Sequence, residues 1–253
     1  CSKTYTATVT INPLPVPTIT GATSSCFGAT GVGYVTETGK TNYLWSIEPA
    51  GAGTITAGMN TNSILVTWNT VGTHSVKVNY TDAGGCTATL PATQTVTVYA
   101  RPVPTITGAT SACKGSTGMI YLTEPGNSNY NWILSSGGTI TAGAGTASIT
   151  VTWTDSGMQL MLINYTDIHG CNALVPGNIA VTVNPLPTVN PVSSQVVCNG
   201  APTAPVVFTG SVAQTQYSWI NSDPSIGLAA AGTGTITTFT SLNTGSIPVT
   251  ATI

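Results

Sequence analysis

The chain copies itself. Residues 15–24 read PVPTITGATS, and residues 102–111 read the same ten letters. Cys26, Tyr34, Tyr43 and Trp45 recur 87 positions later as Cys113, Tyr121, Tyr130 and Trp132. Further on the offset is 85: Trp68 returns as Trp153, Asn79-Tyr80-Thr81-Asp82 as Asn164-Tyr165-Thr166-Asp167, and Gly85-Cys86 as Gly170-Cys171. A weaker third copy opens at Asn184-Pro185-Leu186-Pro187, echoing Asn12-Pro13-Leu14-Pro15. Such a period is too long for one coil of a solenoid and has the size of a small β-domain. The chain therefore reads as beads on a string: residues 1–12 as the last strand of a preceding repeat, 13–99 and 100–183 as two full repeats, and 184–253 as an incomplete repeat of a related subtype.

One bead, residues 13–99, reads as seven strands. They are Val16–Thr20, Gly33–Thr38, Asn42–Ile47, Gly53–Gly58, Ser63–Trp68, His74–Asp82 and Thr93–Tyr99. Side chains alternate along them: Ile64, Val66 and Trp68 share one face, as do Val76, Val78 and Tyr80. Period-2 runs broken by turn residues every 8–12 positions predict an all-β, Ig-like β-sandwich, and no helical period appears. Alternating prolines between beads, as in Pro13-Leu14-Pro15-Val16-Pro17, favour a short semi-rigid linker and an extended rod.

Trp45, Trp132 and Trp219 occupy one recurring place, two positions after a Tyr. They are expected in the core rather than as a sugar-stacking platform. Trp68 and Trp153 share parity with core positions and are expected there too. One strand departs from the pattern. Leu160 and Leu162 replace the polar Ser75 and Lys77, which makes both faces of that strand apolar. A neighbouring segment or another chain is expected to cover them.

Six cysteines fall at two points of the repeat. Cys26, Cys113 and Cys198 come early in a copy; Cys86 and Cys171 come late, and Cys1 resembles a late one. Regular spacing without CxxC or clustered His favours disulfides and an oxidising compartment over metal binding. The simplest pairing is within a copy, Cys26 with Cys86 and Cys113 with Cys171. Each bond closes a loop of roughly 60 residues, worth about 4 kcal/mol in the chain-entropy model. Pairing between neighbouring copies, such as Cys86 with Cys113, fits the same positions and rivets the string.

Charged residues make up 5% of the chain, with a net charge of −2. That leaves no basic surface for nucleic acid. No apolar run spans a membrane. The two histidines, His74 and His169, do not align between beads, and no catalytic signature is present. The repeated carboxylates Glu37/Glu124 and Asp82/Asp167 are hard-oxygen candidates for calcium, but turn formation explains the aspartates more simply. We expect no catalysis and no cofactor.

The motif set of the first two beads is an early Cys, a YxW strand, TITAG, a VTW strand, an NYTD strand and a Gly-Cys turn, closed by VTV and a proline linker. It resembles the PKD-like (Ig-like) tandem repeats of large secreted surface proteins of Bacteroidota, including gliding-type adhesins. The third copy is similar to a sister subtype. The resemblance covers essentially the whole chain. It implies an extracellular, cell-surface location, commonly export by a type IX system, and a structural stalk or filament segment without catalysis. Its partners are further copies of the repeat in cis, or other chains of a fibre. The alternatives are a glycan- or protein-binding module acting through the sandwich loops, and a spacer array in a secreted hydrolase. Exposed aromatics in a concave site mark the binding module; buried Trp and Tyr mark the stalk. Residues 4–11 read like the strand that the third bead lacks, so head-to-tail strand exchange is a further expectation, weaker than a window on a longer chain.

Overall fold

The computed structural model describes residues 1–253. In the first bead, β1 (Thr20–Gly21), β3 (Val32–Val35), β6 (Ser63–Trp68) and β5 (Gly53–Ala57) form one sheet in the order β1-β3-β6-β5. The facing sheet is β2-β8-β7-β4, from β2 (Ser24–Cys26), β8 (Ala92–Tyr99), β7 (Gly72–Thr81) and β4 (Thr41–Glu48). The second bead repeats this. Its sheets are β13-β14-β11-β9 and β10-β16-β15-β12, from β9 (Thr107–Gly108), β10 (Ser111–Cys113), β11 (Met119–Leu122), β12 (Ser128–Leu134), β13 (Gly138–Ala142), β14 (Ser148–Trp153), β15 (Gly157–Thr166) and β16 (Gly177–Asn184).

Each bead thus has eight strands, not seven. The expected first strand Val16–Thr20 is carried by two short pieces, one in each sheet. Pro15 and Pro17 offer no backbone N–H to a ladder, so pairing starts only at Thr20. β2 then crosses to the other sheet and runs parallel to β8, with Cys26 opposite Tyr99. β10 does the same against β16, with Cys113 opposite Asn184.

Alternation places the cores. Ile64, Val66, Trp68, Val76 and Val78 are fully buried in the first bead, as are Ile149, Val151, Trp153, Met161 and Ile163 in the second. Tyr34 meets Trp68 edge-on at 6.3 Å, and Tyr121 meets Trp153 at 6.2 Å. The recurring TITAG ends in glycine for a steric reason. Gly58 has φ +79°, and a Cβ there would lie 1.8 Å from the Ser63 carbonyl oxygen; Gly143 repeats this at 2.0 Å from that of Ser148. Asn42 and Asn129, both at φ 52°, take the left-handed region where β4 and β12 shift register.

The third segment differs. Its strands are β17 (Ser218–Ile220) and β18 (Ala231–Thr233), a two-stranded ribbon. Two isolated bridges, Pro202↔Thr240 and Val206↔Ile236, and a 3-10 turn at Pro224–Ile226 complete it. No core cluster forms there. The strands are too short and few to enclose a layer of side chains between two sheets.

Candidate functional site

The residues that set these beads apart from two independent sandwiches meet at the junction between them. The disulfide is Cys26–Cys171, with Cα atoms 5.7 Å apart. This corrects the pairing expected within each copy: Cys86 and Cys113 are free thiols. The reason lies in the strand order. Parallel pairing on β8 and β16 puts the early cysteine beside the last residue of its own bead, where the chain leaves. The late cysteine follows the β7 or β15 turn beside the linker, where the chain enters: Cys86 Sγ lies 4.0 Å from the Asn12 carbonyl oxygen. The two cysteines of one bead therefore occupy opposite poles. Only the early cysteine of one bead and the late cysteine of the next are neighbours.

An aspartate builds the turn that presents the late cysteine. Asp167 Oδ1 accepts from the backbone N–H of His169 (2.9 Å) and of Cys171 (2.8 Å), and the Asp167 N–H donates to the Cys171 carbonyl (2.9 Å). Asp82 repeats this toward Gly84 (2.9 Å) and Cys86 (3.0 Å). The repeated aspartates are thus committed to turns.

Two more groups close the junction. Arg101, in the linker, donates from Nε to the Phe27 carbonyl (2.7 Å) and from a terminal nitrogen to the Asn172 carbonyl (2.9 Å). Those are the residues that follow the two bonded cysteines. Tyr99, the last residue of β8, stacks on His169 with ring centroids 3.8 Å apart.

Glu37 and Glu124 fasten each linker to its bead. Glu124 accepts from the Thr105 N–H (3.1 Å), the Thr105 hydroxyl (2.5 Å), the Thr123 hydroxyl (2.7 Å) and the Tyr165 hydroxyl (3.2 Å). Glu37 accepts in the same way from Thr18 and Thr36. Burial alone raises the carboxyl pKa, but these donors outweigh it and hold both groups down at about 2. Burial and the Glu124 charge push the Tyr165 phenol up to about 12. The donors that fill these carboxylates are internal, and no cluster of three or more His, Cys, Asp or Glu side chains comes together as a metal site.

Trp45 and Trp132 lie in the two cores, each donating its indole N–H to a loop carbonyl, Thr61 at 2.8 Å and Thr146 at 2.9 Å. Trp219 does not follow them. It is half-buried on the β17–β18 ribbon, where Gly232 leaves room for its ring. The third segment lacks the opposed sheet that would enclose it. Leu160 and Leu162 sit on the outer face of β15, Leu162 opposite the exposed Ile133. The first bead has Ser46 opposite Lys77 there, with Lys77 ion-paired to Glu48. Leu160 remains 46% exposed and Leu162 is half-buried, so the chain leaves Leu160 uncovered.

The sequence reading missed Arg101, Tyr99 and His169. A signal existed. Arg101 and Tyr99 replace the Leu and Asn of the other linkers, and His169 replaces Gly84. These departures from the repeat coincide at one junction.

Two Ig-type sandwiches in tandem, each entered through a proline linker, define the class. The chain belongs to the PKD-like domain family, whose profile matches residues 12–96 and 99–174. A search of curated proteins found no match. Among solved structures the chain is similar to FdeC, an adhesin of Escherichia coli, at 15% identity over 92% of each chain with a TM-score of 0.34. It is also similar to a C-terminal intimin fragment in complex with the intimin-binding domain of its translocated receptor, at 13% identity over 67% of this chain and 65% of that one, TM-score 0.35. Domains 4 and 5 of the S-layer protein SbsC match at 18% identity over 68% of this chain and all of that one, TM-score 0.30. At these scores the likenesses carry no functional argument. No helix is long and apolar enough to cross a membrane.

Proposed function

We propose that this chain is a structural stalk segment of an extracellular cell-surface adhesin, providing reach and spacing, of the kind built from PKD-like repeats in large secreted proteins of Bacteroidota. The observation that carries the reading is the Cys26–Cys171 bond between beads, spanning 145 positions. Force applied to the two ends passes through this bond and bypasses residues 27–170. Strands β3–β15 of the two sandwiches are thereby shielded. Extension of roughly 500 Å, at about 3.3–3.6 Å per residue, is withheld while the bond lasts. A disulfide also fits an oxidising exterior. The aromatic side chains support the same reading. All four tryptophans of the first two beads are buried, at 4%, 0%, 8% and 0% exposure. A surface depression of about 360 Å3, lined by Leu14–Pro17 and Ala88–Ala92, contains no aromatic ring for sugar to stack on.

Single-molecule pulling from the two termini tests this. The oxidised chain is expected to show no step that releases residues 27–170. With dithiothreitol present, two further steps appear, one per bead. Full two-bead extension of the oxidised chain at ordinary unfolding force would remove the stalk reading.

A further inference from the structure

We propose that Cys113 and Cys86 are the two halves of a second staple, closed by another copy of this chain: Cys113 of one copy bonds Cys86 of the next, head to tail. The first argument is register. Cys113 is held as Cys26 is. Lys114 N–H donates to the Asn184 carbonyl (2.7 Å) and Gly115 N–H to that of Trp153 (2.7 Å); Phe27 and Gly28 do the same to Tyr99 (2.8 Å) and Trp68 (2.8 Å). Cys86 is held by Asp82 as Cys171 is by Asp167. Each free thiol thus stands in the setting of a thiol that is bonded in this same structure.

The second argument is independent of the cysteines and names the partner. At the bonded junction, Tyr99 packs on His169, two residues before Cys171. At the entry to the first bead, Asn12 stands in the place of Tyr99. It meets Gly84, two residues before Cys86, donating its amide to the Gly84 carbonyl at 3.3 Å. A Cβ on Gly84 would come within 2.8 Å of that amide, so the small turn matches an Asn. The exit of the second bead carries the same residues as the entry of the first: Asn184-Pro185-Leu186-Pro187 against Asn12-Pro13-Leu14-Pro15. Asn184 is exposed beside Cys113. Tyr fits His at the inner junction, and Asn fits Gly at the outer one. The exit of one copy therefore fits the entry of the next, with Asn184 replacing Asn12 against the Gly84 turn. Asn12 must then leave its exposed bond to Gly84, and residues 4–11 before it, exposed and unpaired, move with it. A head-to-tail contact joins two different surfaces and leaves each added copy with one of them open, so it propagates.

The bond forms by exchange with a low-molecular-weight disulfide such as oxidised glutathione. The Cys86 thiolate attacks one sulfur of the small disulfide, giving a mixed disulfide and releasing one small thiolate. The Cys113 thiolate of the other copy attacks the Cys86 sulfur of the mixed disulfide and displaces the second. Two protein thiols lose two protons and two electrons, and the small disulfide is reduced to two thiols.

The proposal rests on the stalk reading for its oxidising setting only; loss of cross-linking leaves the shielding by Cys26–Cys171 intact, so the two fail separately. The test uses the whole chain with Cys1→Ser and Cys198→Ser, incubated with oxidised and reduced glutathione. Non-reducing electrophoresis is expected to show a ladder, and peptide mass mapping a Cys86–Cys113 link. Cys86→Ser alone and Cys113→Ser alone stay monomeric, and their mixture gives a dimer and nothing longer. Gly84→Trp, which alters neither thiol, slows cross-linking about tenfold, as a contact loss of one decade in affinity requires, while both thiols react normally with a small maleimide. Dimers of either single variant alone, a Cys86–Cys113 bond within one monomer, an unlinked mixture of folded variants, or unchanged cross-linking of Gly84→Trp would each overturn it.

Discussion

The Tyr99 ring lies on the His169 imidazole, 3.8 Å between centroids and tilted by 18°. This stack joins the last strand of one bead to the disulfide turn of the next. Aromatic pairs contribute about 0.5–1.5 kcal/mol beyond their burial. His169→Gly installs the residue of the first bead's turn. It is expected to leave each sandwich folded and to broaden the inter-bead distance distribution measured between spin labels, most clearly in reduced protein.

Cys171→Ser removes the cross-link without altering either strand ladder. A closed loop of 145 positions corresponds to about 5 kcal/mol in the chain-entropy model, and measured losses run about 2–5 kcal/mol. Calorimetry is expected to show the beads unfolding together in oxidised wild-type protein and separately, at lower temperature, in the variant. Reduced wild-type protein should match the variant.

Asp167→Ala leaves the His169 and Cys171 N–H groups without their acceptor. The expected loss is about 1–2 kcal/mol in the second bead. Disulfide formation during refolding in glutathione buffer should also slow, because the turn no longer presents Cys171 toward Cys26. Quantifying free thiols against time checks this.

Acid stability follows from Glu37 and Glu124. Each carboxyl falls from 4.5 to about 2 on folding. A depressed folded pKa means that its contribution is fully present above pH 4.5 and is lost as pH falls toward 2. After solvent screening, about 1 kcal/mol per carboxylate is expected. Urea midpoints of Glu124→Gln should lie below wild type at pH 7 and converge with it near pH 2.

Leu162→Lys restores the residue of the first bead on the outer face of β15. The side chain points away from the core, so stability should change by less than about 0.5 kcal/mol. Association of chains at high concentration, read by sedimentation, should weaken. Unchanged sedimentation would show that the apolar face is not a contact between chains.

Much of the bead was legible in the residues. Alternation at Ile64-Val66-Trp68 and Val76-Val78-Tyr80 reports which faces are buried, because a strand turns successive side chains to opposite sides. The prolines that break the first strand were visible, but not its split between sheets, since that depends on where β1 and β2 find partners. The third segment misled for a related reason. Trp219 keeps the recurring tryptophan position, yet the strands that would cover it are missing.

The amino-acid order by itself determined the repeat, the sandwich and the inward tryptophans, all of which depend on local period and composition. The tertiary structure alone decided which cysteines meet. Spacing treats Cys26 and Cys86 as members of one bead, whereas parallel pairing of β2 on β8 carries Cys26 to the exit pole and the Asp82 turn leaves Cys86 at the entry. A disulfide requires Cα atoms within about 7 Å, and that proximity is set by strand topology across two domains.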